Sequence, residues 1–276
     1  MPQRLADIVD SVRSLIADNW NAKTVTISVA ATTVAGIALV YLWKLRKSKT
    51  KAQPVLSEST IWNLHEYDRR MSTRKRELFD ELKSLKDARG NKRLVILEIG
   101  CGCGWNLKYY PDGSEVICEE PNVLFKDLVY ENARKHPNLK ISTFLDSPAE
   151  NLSAVDSESV DVVVSTIVLC SVTDVNQCLR EIIRILKPGG KFFFVEHAKT
   201  PPQFPVVRLL QIIFRIPWSM RHGGCQLGRS IQDSIKQAGF SSVDVKEFEA
   251  HELMDPSPLV PGARLVRSHI SGTATK

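Results

Sequence analysis

The sequence predicts an α/β protein in which a parallel β-sheet is covered on both faces by helices and is preceded by an N-terminal transmembrane helix. From residue 94 onward, short apolar runs rich in branched residues alternate with stretches of helical periodicity, an order typical of parallel sheets. Hydrophobic residues make up 43% and charged residues 25% of the 276 residues, which excludes a wholly disordered chain. A long uncharged stretch near the N-terminus is the third observation.

Residues 24–43 form the predicted membrane anchor. A helix of twenty residues is about 30 Å long, which matches the hydrocarbon thickness of a bilayer. Tyr41 and Trp43 supply aromatic side chains for the interface, and residues 44–51 follow with five positive charges and no negative one. Because five residues of the stretch are Thr or Ser, a buried core helix is an alternative interpretation, as is a cleaved signal peptide.

The charges on either side of the anchor predict its orientation. Residues 1–23 carry three positive and three negative charges, so the positive-inside rule places the C-terminal body in the cytosol. The chain then divides into an amphipathic segment 1–23, the anchor 24–43, a basic linker 44–60 and a body 61–276.

Charge and cysteine content exclude two further classes. Five positive charges, nearly the whole formal net charge of +6, lie in residues 44–51, so the basicity is local and no nucleic-acid partner is predicted. A second basic cluster, residues 69–76, predicts a solvated helix face or contact with anionic lipid headgroups. The six cysteines include no C-x2-C pair, which indicates reduced thiols and no metal site.

Seven strands and five helices make up the predicted body. The strands are short apolar runs, and the helices carry apolar residues three or four positions apart. Asp174 is a candidate N-cap, and Pro188-Gly189-Gly190 ends the helix that it begins. The predicted strands cover residues 94–99, 115–118, 139–145, 160–166, 191–195, 243–248 and 265–270. The predicted helices start near Gly104, cover 122–135, follow Asp174, and cover 203–218 and 226–238.

A glycine-rich loop, Glu98-Ile99-Gly100-Cys101-Gly102-Cys103-Gly104, joins the first strand to the next helix. Ligands of open α/β sheets bind at this position, and glycines let the backbone approach them closely. The loop lacks the nicotinamide pattern G-x-G-x-x-G because Trp105 stands where the last glycine would be, and no Gly-Lys-Ser/Thr of a phosphate loop follows. An acid before G-x-G-x-G suits a cationic ligand with an amino group and a sulfonium.

Acids after the second and third strands predict that the ligand contains a nucleoside. Glu120 follows Glu98 by 22 residues, the spacing at which an acid accepts both ribose hydroxyls. Glu119 lies one step earlier and should point to the other face of the sheet. The segment 146–150 (D-S-P-A-E) is placed to flank an adenine ring.

These motifs resemble those of class I S-adenosylmethionine-dependent methyltransferases: L-E-I-G-C-G-C-G, the acid ending strand two, D-S-P-A-E, V-D-V-V-V-S-T and L-K-P-G-G-K. More narrowly, residues 94–276 resemble the methyltransferase-like 7 group of membrane-associated thiol S-methyltransferases. The narrower likeness depends on residues 166–172 (T-I-V-L-C-S-V), Glu196-His197, Gly224-Cys225-Gln226-Leu227 with Arg229, and the tail 265–270.

The resemblance implies a Rossmann-like seven-stranded sheet, S-adenosyl-L-methionine as cofactor and a set of binding residues. It assigns the methionine end of the cofactor to Glu98, Gly100, Gly102 and Gly104, the ribose to Glu120, the adenine side to Ala149 and Glu150, and the region of the methyl group to Thr166. The chain departs from the pattern at Cys103, where a small hydroxyl residue is common, and at Glu120, where Asp is common.

A thiol acceptor must ionise before it attacks, and a free thiol is only a few per cent ionised at neutral pH. His197, at the end of the fifth strand, is the candidate base or orienting group; a structural histidine bonded to backbone is the alternative. Glu196 could orient it, whereas His222 and His269 are weaker candidates. Cys101 and Cys170 are interpreted as packing residues.

Residues 203–218 point to a lipophilic acceptor. Arg208, Gln211 and Arg215 share one helical stripe, and apolar residues fill the remainder. Such a helix lies on a membrane, roofs a greasy site or packs into the core. The resemblance implies the endoplasmic reticulum membrane, with lipid droplets or the mitochondrial outer membrane as alternatives.

The sequence leaves the acceptor and the oligomeric state open. A quinone, a phenol or a phospholipid amine is the alternative acceptor, and a non-catalytic membrane protein that retains the fold is an alternative of another class. The intact glycines and the acid at position 120 argue against the non-catalytic interpretation.

Overall fold

The computed structural model describes residues 58–88, 93–254 and 262–276. All of them belong to one compact unit, Leu56–Lys276. The predicted segment 1–23, the predicted anchor 24–43 and most of the predicted linker 44–60 lie outside the described residues. Among the described helices, none combines the length and the hydropathy needed to cross a bilayer.

The described chain contains six α-helices and seven β-strands. The helices are α1 (Glu58–Arg70), α2 (Ser72–Ala88), α3 (Lys126–Ala133), α4 (Val175–Ile185), α5 (Pro205–Arg221) and α6 (Ile231–Gln237). The strands are β1 (Val95–Ile99), β2 (Glu115–Glu119), β3 (Lys140–Leu145), β4 (Val160–Thr166), β5 (Leu186–His197), β6 (Ser242–Glu249) and β7 (Ser268–Thr275).

The seven strands form one mixed sheet in the order β3-β2-β1-β4-β5-β7-β6. Strands β1 to β5 pair in parallel, whereas β7 runs antiparallel between β5 and β6. The α/β class with seven strands is confirmed, but the purely parallel sheet is wrong at β7. Between β6 and β7 the described residues hold two 3₁₀ turns and no α-helix, and the two strands pair antiparallel.

Local sequence signals predicted most strands and helices close to where the structure has them. β4 occupies the predicted residues 160–166, and the Asp174 side chain accepts a hydrogen bond from the Gln177 N–H, as expected of an N-cap. The helix expected from Gly104 is reduced to one 3₁₀ turn, Leu107–Tyr109. The last strand begins at Ser268, because another 3₁₀ turn occupies residues 263–266.

The core lies on both faces of the sheet, because alternate residues of its central strands point in opposite directions. Leu97 and Val163 belong to one buried cluster, which α4 and α6 complete. Ile96 and Val162 belong to a second cluster, which Phe79 and Leu82 of α2 cover. The carboxyl ends of the parallel strands are left for the loops that form the site.

The basic cluster 69–76 is solvated only in part, since Arg69 and Arg76 are exposed. Lys75 is buried, and its Nζ lies 2.7 Å from Oδ1 of the equally buried Asp68. Lys108 Nζ lies 2.5 Å from the other oxygen of Asp68. The Lys75 charge therefore stabilises contacts within the body, and burial lowers its pKa.

Helix α5 has an unusual distribution of polar and apolar residues. Gln211 is buried, donates from Nε2 to the Leu265 carbonyl at 2.8 Å and accepts from the Thr200 N–H. Large apolar side chains of the same helix are exposed by 45% or more: Val206, Leu209, Ile212, Ile213, Phe214, Ile216 and Met220. Arg208, Gln211 and Arg215 lie on one helix as predicted, with Gln211 buried, and the core-packing interpretation of this helix is wrong for its exposed face.

Candidate active site

The glycine loop turns sharply at the carboxyl end of β1. Gly100, Gly102 and Gly104 all have positive φ, and Gly104 closes the turn by donating its N–H to the Cys101 carbonyl at 2.8 Å. At Gly100, φ is +57° and a Cβ would lie 2.4 Å from Cγ2 of Val168. Only glycine fits there, because both the backbone angle and the space exclude a side chain.

Glu98, the acid before the loop, is buried in a hydrogen-bonded network. Its carboxylate accepts from Asn106 Nδ2 at 2.8 Å and from the Tyr110 hydroxyl at 2.7 Å. Asn106 Nδ2 also reaches Thr166 Oγ1 at 3.0 Å, which links the ends of β1 and β4. Burial raises the pKa of Glu98 to about 7, so this carboxyl titrates close to neutral pH.

Glu119 and Glu120 both contact the loop. Glu119 accepts from the Gly100 N–H at 2.9 Å, and Glu120 accepts from the Gly102 N–H at 3.2 Å and from the Asn122 N–H at 3.0 Å. Glu119 was expected to point to the other face of the sheet from Glu120; it ends β2 and contacts the loop as Glu120 does. Burial raises the pKa of Glu119 to about 8 and also raises that of Glu120.

Ala149 and Glu150 lie after β3, at the same edge of the sheet. Ala149 is buried, while Glu150 accepts the N–H groups of Thr173 and Asp174 at 2.6 Å and 3.2 Å. Glu150 thus satisfies free donors at the beginning of α4, where the helix dipole favours a negative charge. Its predicted place beside an adenine ring stays a prediction.

The turn after β4 is held by Glu196. Its Oε1 accepts from the Ser165 hydroxyl at 2.5 Å and from the Val168 N–H at 3.0 Å. Between these donors, Ile167 has φ of +57°, a strained value for a branched residue. These contacts give Glu196 a different role from the predicted one of orienting His197.

His197 ends β5, next to the strand that carries Thr166. Its Nδ1 lies 3.4 Å from Sγ of Cys225, and its ring meets His269 edge-on with centroids 4.8 Å apart. Hydrogen bonding with the buried Cys170 thiol, together with the nearby imidazole, lowers the pKa of Cys225. Burial and the proximity of His197 lower the pKa of His269 to about 3, so this histidine is neutral.

Sequence reasoning missed Cys225 as a site residue and assigned Cys170 to packing. The signal that could have indicated Cys225 was its place in the G-C-Q-L segment, which carried the narrower resemblance. His222 instead stacks on Trp218 at 3.8 Å. The fold brings Glu98, Glu120, the glycines and Thr166 to the ends of neighbouring strands, as predicted.

Comparisons with known proteins identify the class that this arrangement defines. Residues 97–194 match a family model described as a methyltransferase domain. A putative sarcosine dimethylglycine methyltransferase from Galdieria sulphuraria shares the fold with a TM-score of 0.54 at 15% identity, over 80% of this chain and 98% of that one. The protein is an S-adenosylmethionine-dependent methyltransferase with a Rossmann-like sheet.

Curated relatives give the family. Human thiol S-methyltransferase TMT1A is 36% identical over 210 residues, which cover 76% of this chain and 81% of the relative. Human thiol S-methyltransferase TMT1B is 35% identical over 211 residues, with the same shares of both chains. The chain belongs to this family, the methyltransferase-like 7 group.

The residues of the site fit S-adenosyl-L-methionine. Among the described residues, the buried side-chain atoms without a hydrogen-bond partner include Asn106 Oδ1, Glu119 Oε1 and Ser147 Oγ, which lie at or next to the predicted binding segments. The cofactor carries an ammonium group and ribose hydroxyls that could satisfy such atoms, and the glycine loop offers an approach free of side chains. When bound, it supplies a methyl group on a positively charged sulfur.

Proposed function

We propose that this protein transfers the methyl group to the thiol of small lipophilic acceptors at a membrane surface. The observation that carries the proposal is the 36% identity over 210 residues to a protein named thiol S-methyltransferase. The geometry supports it from two sides, the polar groups at the end of β5 and the apolar surface of α5.

The polar groups supply what a thiol acceptor needs. A thiol with a pKa near 8.5 is only a few per cent ionised at neutral pH, so a nearby basic or positive group raises the reactive fraction. His197 is half-buried at the end of β5, and Thr166 ends the neighbouring strand β4. From this position His197 would hold or accept the proton of the acceptor thiol. The carboxylates that contact the glycine loop serve the cofactor, which leaves His197 to the acceptor side.

The exposed face of α5 favours an acceptor that partitions into lipid. Ile212 is 73% exposed, and Arg208, Arg215 and Arg221 lie on the same helix. An apolar face flanked by arginines is suited to the boundary between headgroups and acyl chains. Residues 24–43 would keep this face near the bilayer, with the endoplasmic reticulum membrane as the proposed address and lipid droplets or the mitochondrial outer membrane as alternatives.

The acceptor class is tested with methyl-labelled S-adenosyl-L-methionine. The full chain in vesicles is incubated with a panel of alkyl thiols, phenols, amines and reduced quinones, and Glu120→Ala serves as the control with impaired cofactor binding. We expect label on sulfur, increasing with alkyl chain length. Label found only on oxygen or nitrogen would refute the thiol assignment.

A reduced quinone is the second candidate acceptor. A ubiquinone/menaquinone biosynthesis C-methyltransferase from Pectobacterium atrosepticum is 30% identical over 128 residues, 46% of this chain and 49% of that protein. In the same assay a quinone acceptor would give label on ring carbon.

Membrane dependence is tested separately by deleting residues 1–47. We expect turnover of a lipophilic thiol in vesicles to fall while turnover of a water-soluble thiol is retained. Unchanged turnover of the lipophilic thiol would contradict the role given to the anchor.

A further inference from the structure

Three side chains with metal-binding atoms meet beside the proposed acceptor site. Cys170 comes from the turn after β4, His197 from the end of β5, and Cys225 from the loop after α5. Their ligand atoms all lie within 4.8 Å of one another, and His197 Nδ1 is 3.4 Å from Cys225 Sγ. Both cysteines are buried, and His197 is partly exposed.

The two cysteine segments are held together by their own backbone. The Gln226 N–H donates to the Cys170 carbonyl at 2.8 Å. Gly224, with φ of +88°, approaches so closely that a Cβ would lie 3.1 Å from the Ser171 carbonyl oxygen. On the other side of Cys170, Arg229 donates to the carbonyls of Leu169 and Val172 at 2.9 Å and 2.6 Å. The cluster is therefore positioned by contacts that do not involve the three ligand atoms.

We propose that Cys170, His197 and Cys225 bind one zinc ion. Two thiolates and one imidazole form a ligand set that zinc takes up in tetrahedral geometry, with metal–ligand bonds of about 2.0–2.3 Å. Bonds of that length put neighbouring ligand atoms about 3.5 Å apart, close to the separation of His197 and Cys225. Two thiolate charges also balance the charge of Zn²⁺, so the buried site is neutral overall.

Three protein ligands leave the fourth zinc position free, as in catalytic zinc sites. On the proposed function, which this step presupposes, the fourth position takes the sulfur of the acceptor. Coordination releases the thiol proton to water and holds the sulfur as a thiolate. The thiolate forms a bond to the methyl carbon while the bond from that carbon to the cofactor sulfur breaks, which leaves S-adenosylhomocysteine. His197 is then a zinc ligand rather than a free base, and no C-x2-C pair indicated the site because its ligands come from three separate segments.

Two other arrangements would place the same atoms close together. Cys170 and Cys225 could form a disulfide, or all three groups could remain hydrogen-bonded without a metal. A disulfide consumes both thiols, whereas zinc protects them reversibly until a chelator is added.

The first test measures metal content without any acceptor. The full chain is purified in detergent under reducing conditions, supplied with zinc and freed of excess metal, and zinc is measured by mass spectrometry. We expect one zinc per chain in the wild type and a loss of zinc in Cys170→Ala, His197→Ala and Cys225→Ala. Cys178→Ala, which removes another buried cysteine outside the cluster, should keep its zinc.

The second test uses cobalt as a spectroscopic probe. Cobalt in the wild type should show an intense thiolate-to-metal absorption, which weakens in each cysteine variant and persists in Cys178→Ala. Calorimetry with S-adenosylhomocysteine checks that each variant is folded. Folded wild type that binds no zinc, zinc retained in Cys225→Ala, or a disulfide between Cys170 and Cys225 in protein not exposed to reductant would each overturn the proposal.

The two proposals fail separately. Zinc bound by the cluster together with label on oxygen or nitrogen would refute the thiol acceptor and keep the metal site. Thiol methylation by protein that holds no zinc would refute the metal site and keep the acceptor.

Discussion

Glu119 and Glu120 are neighbours in the sequence and differ in their burial. Glu119 is 1% exposed and its pKa is raised to about 8, so it is mostly protonated at neutral pH. Glu120 is half-buried and accepts two backbone N–H groups, which counteract the effect of burial on its pKa. Of the two, Glu120 is the better partner for ribose hydroxyls.

This difference in burial predicts that two isosteric substitutions differ in their effect on cofactor affinity. Glu120→Gln should weaken S-adenosylhomocysteine binding roughly ten- to a hundredfold, because charged hydrogen bonds to the ribose are lost. Glu119→Gln should change the affinity little at pH 7, since that side chain is already uncharged and an amide oxygen still accepts the Gly100 N–H. Isothermal calorimetry measures both; the reverse ranking would show that the ribose is misplaced.

The pKa of Glu98 predicts a pH dependence of cofactor binding. Burial raises this pKa to about 7, so the carboxyl is protonated below that pH and must lose its proton to face a cation. The affinity for S-adenosyl-L-methionine should therefore rise about fivefold between pH 6 and 7, about twofold more by pH 8, and then level off. Glu98→Gln should bind more weakly and lose this dependence; an unchanged pH profile in the variant would assign the titration to another group.

At the scale of elements, a buried ion pair between Asp68 and Lys75 joins α1 to α2, and Lys108 contacts the same carboxylate from the 3₁₀ turn after β1. Asp68→Asn leaves the 2%-exposed Lys75 without its counter-charge, which should cost about 3–5 kcal/mol of unfolding free energy. Asp80→Asn, which breaks the exposed pair with Lys83 on α2, should cost less than about 1 kcal/mol. Urea unfolding compares the two, and equal losses would contradict the importance of burial.

The exposed face of α5 predicts an effect confined to lipophilic acceptors. Ile212→Gln should raise KM for a long-chain alkyl thiol in vesicles roughly tenfold, because about 1.5 kcal/mol of apolar burial in lipid is lost. KM for a water-soluble thiol should not change. Val123→Gln, at another exposed apolar residue, is the matched control; an equal effect there would show that α5 has no special role.

At the scale of the whole molecule, the glycine loop joins the cofactor site to the central strands of a single sheet. Cofactor binding should therefore stabilise the body as one unit. S-adenosylhomocysteine at a hundred times its Kd should add about 2.7 kcal/mol and raise Tm by about 5–10 °C in one transition. Calorimetric scanning tests this, and a second transition that does not respond to the ligand would contradict it.

The parts of the fold that sequence predicted well are those with local causes. β4 is a valine-rich run that is buried on both faces, and Asp174 caps α4 through its own side chain. The glycine loop could be recognised in the sequence because steric limits at Gly100 admit no other residue. The helix expected at Gly104 failed because positive φ at three glycines prevents helical propagation until Leu107.

Non-local contacts decided what sequence patterns could not. Gln211 looked like part of a polar stripe, yet it is buried because the Leu265 carbonyl and the Thr200 N–H need partners. Cys225 lies 28 residues beyond His197 and 55 beyond Cys170, so no spacing rule connects them.

The sequence by itself determined most of the order of strands and helices along the chain, the glycine loop and the acids around it, because each depends on neighbouring residues and backbone sterics. Tertiary structure alone decided the antiparallel β7, the raised pKa values of Glu98 and Glu119, and the meeting of Cys170, His197 and Cys225. Burial and proximity depend on which distant segments pack together, and that information is spread over the whole chain.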